Sequence, residues 1–135
     1  MTHLLDTSAL LTHYLDESGA EELDQLFAGG PSRIAVSVIT WVELERRLAE
    51  LVDDVKERNR VFHLYTEVLT SAVPVSADVA REAIRVRAAC PSRIPMVDCL
   101  IAASAVSLGL VLVHRDKHMD GISSKNLKVT RLPEK

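Results

Sequence analysis

Short apolar runs recur along this chain, each separated from the next by a stretch far longer than a hairpin turn. His3-Leu4-Leu5, Ile34-Ala35-Val36 and Leu110-Val111-Leu112-Val113 are the clearest of them. Strands joined this way pair in parallel, because a parallel crossover takes a dozen or more residues and is normally a helix. Such strands are buried on both faces and read as continuous apolar runs rather than alternations. The pattern predicts an α/β fold with a mostly parallel central sheet and helices on both sides.

The intervening stretches read as helices. One is expected over about 9–15 and a second after Ser18, with Leu23, Leu26 and Phe27 on its apolar face and Gly29-Gly30-Pro31 ending it. Ser37 opens a third, running to about residue 50, with Leu44, Leu48 and Leu51 at core spacing. A fourth covers roughly 54–70, carrying Val61, Leu64, Tyr65 and Val68, and Ser76 caps a fifth over 78–89. Pro95 suits the first turn of a helix to about residue 108. Val73-Pro74-Val75 reads as a brief extended piece and Leu127-Lys128-Val129 as an edge strand.

All 135 residues fit one domain, 1–135, able to bury about two-thirds of its unfolded surface without a disulfide scaffold. With 47% hydrophobic and 26% charged residues it lies far from disordered compositions. A net charge of −3 excludes a protein that coats nucleic acid non-specifically. The charge is uneven, though. Residues 1–32 hold six acids and no Lys or Arg, whereas the rest holds 16 basic residues and 13 acids, which permits a local basic surface. Cys90 and Cys99 lack metal-type spacing and are expected as free thiols. Asp6 interrupts the first apolar run, so no signal segment is read and a cytoplasmic protein is expected. The uncharged run 99–113 has 15 residues, short of the roughly 20 a bilayer-spanning helix needs.

Four acids fall at comparable places in this pattern. Asp6 follows the first strand, Glu43 lies in the early turns of the helix after the second, Asp98 opens the helix after Pro95, and Asp116 follows the 110–113 strand. In an open parallel sheet these positions share one edge, where ligands bind. Four carboxylates gathered there repel one another unless a cation neutralises them. Oxygen ligands without His or Cys favour Mg²⁺ or Mn²⁺ over Zn²⁺. Each acid also has an ordinary explanation. Asp6 is a fitting N-cap, Glu43 completes a capping box with Thr40 (although Ser37 is the better cap), Asp98 suits a helix N-terminus, and Asp116 suits a solvated turn.

With their neighbours the four acids become more specific. Leu4-Leu5-Asp6-Thr7-Ser8-Ala9-Leu10, the pair Glu43-Leu44, Asp98-Cys99-Leu100-Ile101-Ala102-Ala103 and Leu112-Val113-His114-Arg115-Asp116 follow one another in the order seen in PIN domains. The chain resembles, over nearly its whole length, the small PIN-domain ribonuclease toxins of VapBC toxin–antitoxin systems. It departs from them at His114, where many relatives have Thr or Ser, and at Met119, where an aromatic residue is common.

The resemblance implies a PIN-like α/β/α sandwich and a Mg²⁺- or Mn²⁺-dependent endoribonuclease that inhibits translation and growth. Carried over, it makes Asp6 and Asp98 the principal metal ligands. Glu43 and Asp116 would complete the catalytic set directly or through water, and Thr7 or Ser8 would support the first ligand. Metal-activated water would attack an RNA phosphodiester in line. It further implies a homodimer and a VapB-like antitoxin, for which the acidic segment 1–32, with Leu10, Leu11, Tyr14 and Leu15, offers a receptor.

Arg93, Arg115, Lys117 and His118 fall in loops beside Asp98 and Asp116 and are candidate phosphate contacts, with solvated loop charges as the alternative. Only five aromatic residues are present, most at core spacing, which favours recognition of a folded RNA by shape over base stacking. Two other classes compete. A receiver or phosphatase-like Mg²⁺ domain would want a second acid near Asp6, where Ser8 stands two residues on. A non-catalytic interaction module would have no need of four acids.

Overall fold

In the computed structural model, which describes residues 1–122, 125 and 127–134, the apolar runs form a single sheet. Its strands are β1 (His3–Leu5), β2 (Ile34–Ser37), β3 (Ser71–Val73), β4 (Val111–His114) and β5 (Lys128–Arg131), in the order β3-β2-β1-β4-β5. Every pairing is parallel, with Leu4 beside Ala35 and Leu112, and Leu5 beside Val113. The helices are α1 (Thr7–Tyr14), α2 (Ala20–Ala28), α3 (Val38–Leu51), α4 (Val55–Val68), α5 (Ala77–Ala89) and α6 (Met96–Leu108). This is the expected α/β/α arrangement. No helix among the described residues is long and apolar enough to cross a membrane.

Alternation along the strands divides the core into two layers. Leu5, Val36 and Val113 face Leu10, Leu23, Leu44, Leu48, Val61 and Tyr65 of α1–α4. Leu4, Ala35 and Leu112 face Val86, Cys99, Ile101, Ala102 and Ala105 of α5 and α6. Each fully buried Leu contributes about 1.5–3 kcal/mol relative to exposure. The run 99–113 is therefore a buried helix and a buried strand, split at Gly109, whose φ of 66° is the left-handed turn ending α6.

Local chemistry sets the helix starts. Asp6, Ser37, Asp54 and Ser76 each accept a backbone N–H from the first turn of the helix they precede. The Glu43 capping box does not form: Ser37 caps α3, as its place at the strand end suggested. Several expectations shift. Pro95 is the N-cap of α6 rather than part of its first turn. The piece expected at 73–75 lies two residues earlier, as the sheet strand β3, because Pro74 has no N–H to give a ladder. Leu51, expected at core spacing, is 43% exposed, and Leu64 and Val68 of α4 are 50% and 38% exposed, since a helix lying on one layer buries a narrower stripe than its apolar spacing offers. Leu10 and Leu11 are core, which leaves the half-buried Tyr14 and the exposed Leu15 at the end of α1 open to a partner. Both cysteines are free.

Candidate metal centre

The C-terminal ends of β1, β2 and β4 meet at one edge, on either side of the point where chain connections reverse direction across the sheet. One cavity of about 280 Å³ opens there, lined by Asp6, Glu43, Asp98 and Asp116 together with Thr7, Ser8, Arg46, Arg47 and Arg115. The four acids expected together are thus brought together.

Asp6 leaves β1 with its N–H bonded to the Val113 carbonyl, which ties it to β4. It is 3% exposed; its Oδ1 accepts the Ala9 N–H at 2.9 Å and the Ser8 hydroxyl lies 2.7 Å and 2.9 Å from its two oxygens. The ordinary reading of Asp6 as a helix cap is correct, and the same side chain also borders the cavity. Ser8 is held in turn by the Arg115 N–H, which donates to its Oγ at 2.8 Å. Thr7 serves a different acid, donating to Glu43 Oε1 at 2.7 Å. The two hydroxyls that follow Asp6 therefore support two separate carboxylates.

Asp98 sits in the first turn of α6 and is 9% exposed. Its carboxylate makes no hydrogen bond or ion pair with any described residue and borders the cavity instead. Asp116 caps a 3₁₀ turn, Lys117–Met119, by accepting the His118 N–H at 2.9 Å, and this turn folds His118 back over the acids. One atom each of Asp98, Asp116 and His118 lies within 4.8 Å of the others. A ring nitrogen thus stands beside the acids that the sequence offered as oxygen donors, because a turn of three residues reverses the chain just after Asp116.

Burial pushes the Asp6 carboxyl up to about 7, against the lowering pull of Ser8 and Ala9, with the Asp116 and Asp98 charges adding to the rise. Burial likewise raises Asp98 to about 6, reinforced by Asp116 and Glu43 and eased by His118. Crowded, partly protonated carboxylates with one buried member lacking any donor suit a divalent cation, which would replace the protons. The donor set fits.

The basic candidates separate. Lys117 and His118 line an adjoining cavity that also touches Ser8, Arg115 and Asp116. The Arg115 side chain is 9% exposed and pairs with Glu17 at 2.6 Å, so it serves the frame more than the rim. Arg93 is exposed and lines neither cavity. Arg46 and Arg47 were missed by the reading of loops, although they stand three and four residues after Glu43 and hence on its face of α3.

Known proteins place this geometry. A chain of VapBC2 from Rickettsia felis, solved bound to a promoter DNA fragment, matches with a TM-score of 0.78 at 19% identity, covering 98% of this chain and 100% of that one. A chain of VapBC-5 from Mycobacterium tuberculosis matches at 0.69 and 24% identity over 97% and 98% of the two chains. A chain of VapBC-1 from nontypeable Haemophilus influenzae matches at 0.72 and 22% identity, over 97% and 98%. At these identities the likeness is one of fold. No curated protein matches the chain with significance. The PIN domain model matches residues 3–125, a span that runs from β1 past the fourth acid. Fold, acidic edge and sequence model agree, and the chain belongs to the PIN domain family of nucleases.

Proposed function

We propose that this protein is a Mg²⁺- or Mn²⁺-dependent endoribonuclease, the VapC-type toxin of a toxin–antitoxin pair, silenced by a VapB-like antitoxin. The observation that carries the reading is Asp98: a buried carboxylate without a donor, bordering a cavity shared with Asp6, Glu43 and Asp116. The likeness of fold to chains of VapBC complexes supports the toxin part, and the uncovered Leu15 with the acidic α2 start offers an antitoxin segment a landing place.

Asp6 and Asp98 would hold the ion. When bound, a divalent ion acidifies a coordinated water and offsets charge on the scissile phosphate. The protein's own residues do the rest. Ser8 and the Ala9 N–H fix Asp6 in one orientation, and Thr7 fixes Glu43, so the acids need no rearrangement as the reaction proceeds. Glu43 is placed to accept a proton or to hold further water, and Asp116, close to Asp98, would join the ion directly or through water. Arg46 and Arg47 on one side and Lys117 on the other offer cations to flanking phosphates, which fixes the strand without reading its sequence.

The test is cleavage of structured RNAs by purified protein with chelator, Mg²⁺ or Mn²⁺. Metal-dependent internal cuts are expected from the wild type and none from Asp98→Asn, with growth arrest relieved in the variant. Equal cleavage by both proteins would remove Asp98 from the active centre. No cleavage by either, with metal bound, would favour the non-catalytic interaction module.

A further inference from the structure

Among the described residues, His118 is the histidine grouped with the acids of this edge. Asp116 and His118 are joined twice: the His118 N–H donates to Asp116 Oδ1, and the ring Nδ1 also stands 2.9 Å from that oxygen. Alone this is an ordinary aspartate turn with a histidine at its third position. It does not account for Asp98, which comes from α6, far away in sequence. A His118 ring nitrogen lies within 4.8 Å of carboxylate oxygens of both Asp98 and Asp116. Asp98 is nine-tenths buried, faces the cavity and has no partner among the described residues. Three potential ligands from two separate elements thus converge where a largely buried carboxylate faces the open cavity with no protein donor, and crowded carboxylates there favour a cation.

We propose that His118 is a ligand of the divalent ion, with Asp98 and Asp116, and that this centre therefore favours first-row transition ions over Mg²⁺. The inference rests on the metal dependence proposed above. Mg²⁺ prefers hard oxygen donors in a tight octahedron and keeps its waters, whereas an imidazole nitrogen is a better donor to transition ions. One imidazole among carboxylates moves the preference without closing the site, because the ring is exposed and leaves the cavity open to water and substrate.

The experiment titrates Mn²⁺ into wild type, His118→Ala and Asp98→Asn at neutral pH, following binding by continuous-wave EPR. The ligands are then read from imidazole-nitrogen modulation in pulsed EPR, and Mg²⁺ competition gives the selectivity. Wild type is expected to show the nitrogen signature. His118→Ala should lose it, bind Mn²⁺ about tenfold more weakly, and lose its preference over Mg²⁺ by a similar factor. Wild-type Mn²⁺ without nitrogen modulation, or unchanged affinity and selectivity in His118→Ala, would make His118 a turn partner only and leave the acidic centre standing. Absence of Mn²⁺ binding in the wild type, or binding that Asp98→Asn does not weaken, would overturn the metal centre and the role of His118 with it.

Discussion

Asp6 accepts a backbone N–H as the cap of α1 and a hydroxyl from Ser8, yet its burial at the end of β1 still lifts its carboxyl to about 7. Asp98, raised to about 6, shares the same edge. Both values lie above those of an unfolded carboxylate, near 4. Between roughly pH 4 and 7 the folded protein therefore binds more protons than the unfolded one. Stability from these groups is fully present at the acid end and is lost as pH rises, by at most about 1.4 kcal/mol per pH unit for each proton. Urea midpoints measured with chelator across this range should fall more steeply for the wild type than for Asp6→Asn; parallel curves would mean that Asp6 titrates normally. Mn²⁺ should reverse the trend, since it binds the deprotonated acids. The acids themselves were legible in the sequence, each being the first carboxylate after a strand or the start of a helix. Their supports were legible only as an alternative, Thr7 or Ser8 for Asp6. That Ser8 serves Asp6 and Thr7 serves Glu43 depends on which way two adjacent side chains turn at a helix start, and spacing does not encode that.

At the scale of elements, two joints control how the site edge is presented. Gly109 turns α6 into β4 with a φ of 66°, and a Cβ there would meet nothing within 4 Å. Only the backbone penalty remains, so Gly109→Ala should lose about 1 kcal/mol by denaturant unfolding and Gly109→Asn less, with metal binding unchanged in both. The second joint is the largely buried ion pair between Arg115, just after β4, and Glu17, in the turn between α1 and α2. Removing Arg115 takes the cation away from a largely buried carboxylate, and Arg115→Ala is expected to cost about 3 kcal/mol. Changing both, as Glu17→Gln with Arg115→Met, should recover much of that loss, and a double-mutant cycle measures the coupling. Helix starts were legible because capping is local chemistry. The Glu17–Arg115 pair was not, because its partners lie 98 residues apart and nothing in either neighbourhood announces the other.

Across the whole molecule, the all-parallel sheet gathers the helix starts and strand ends that carry the four acids onto one edge, and so concentrates negative charge there. An ion that binds only the folded state stabilises it by about 2.7 kcal/mol at 100 times its dissociation constant. Scanning calorimetry should show melting raised by several degrees in Mn²⁺ over chelator, and Asp98→Asn should blunt the gain; an equal rise in both would place the ion elsewhere. The parallel layering could be read from the sequence, since unbroken apolar runs separated by helix-length gaps leave few other solutions. Strand order could not, as nothing in β1 states that β2 and β4 will flank it.

That order bears on how the protein is made. β1 is synthesised before the two strands that flank it and lies in the middle of the finished sheet; its Leu5 pairs with Val113, and Asp6 bonds to the Val113 carbonyl. At translation rates of about 5–20 residues per second, the first acid waits several seconds for the last to be added. A ribosome-bound chain stopped before β4 lacks Asp116 and the strand that seats Asp6. The acidic centre therefore closes only once β4 and Asp116 have been made, so shorter nascent chains lack whatever activity needs all four acids.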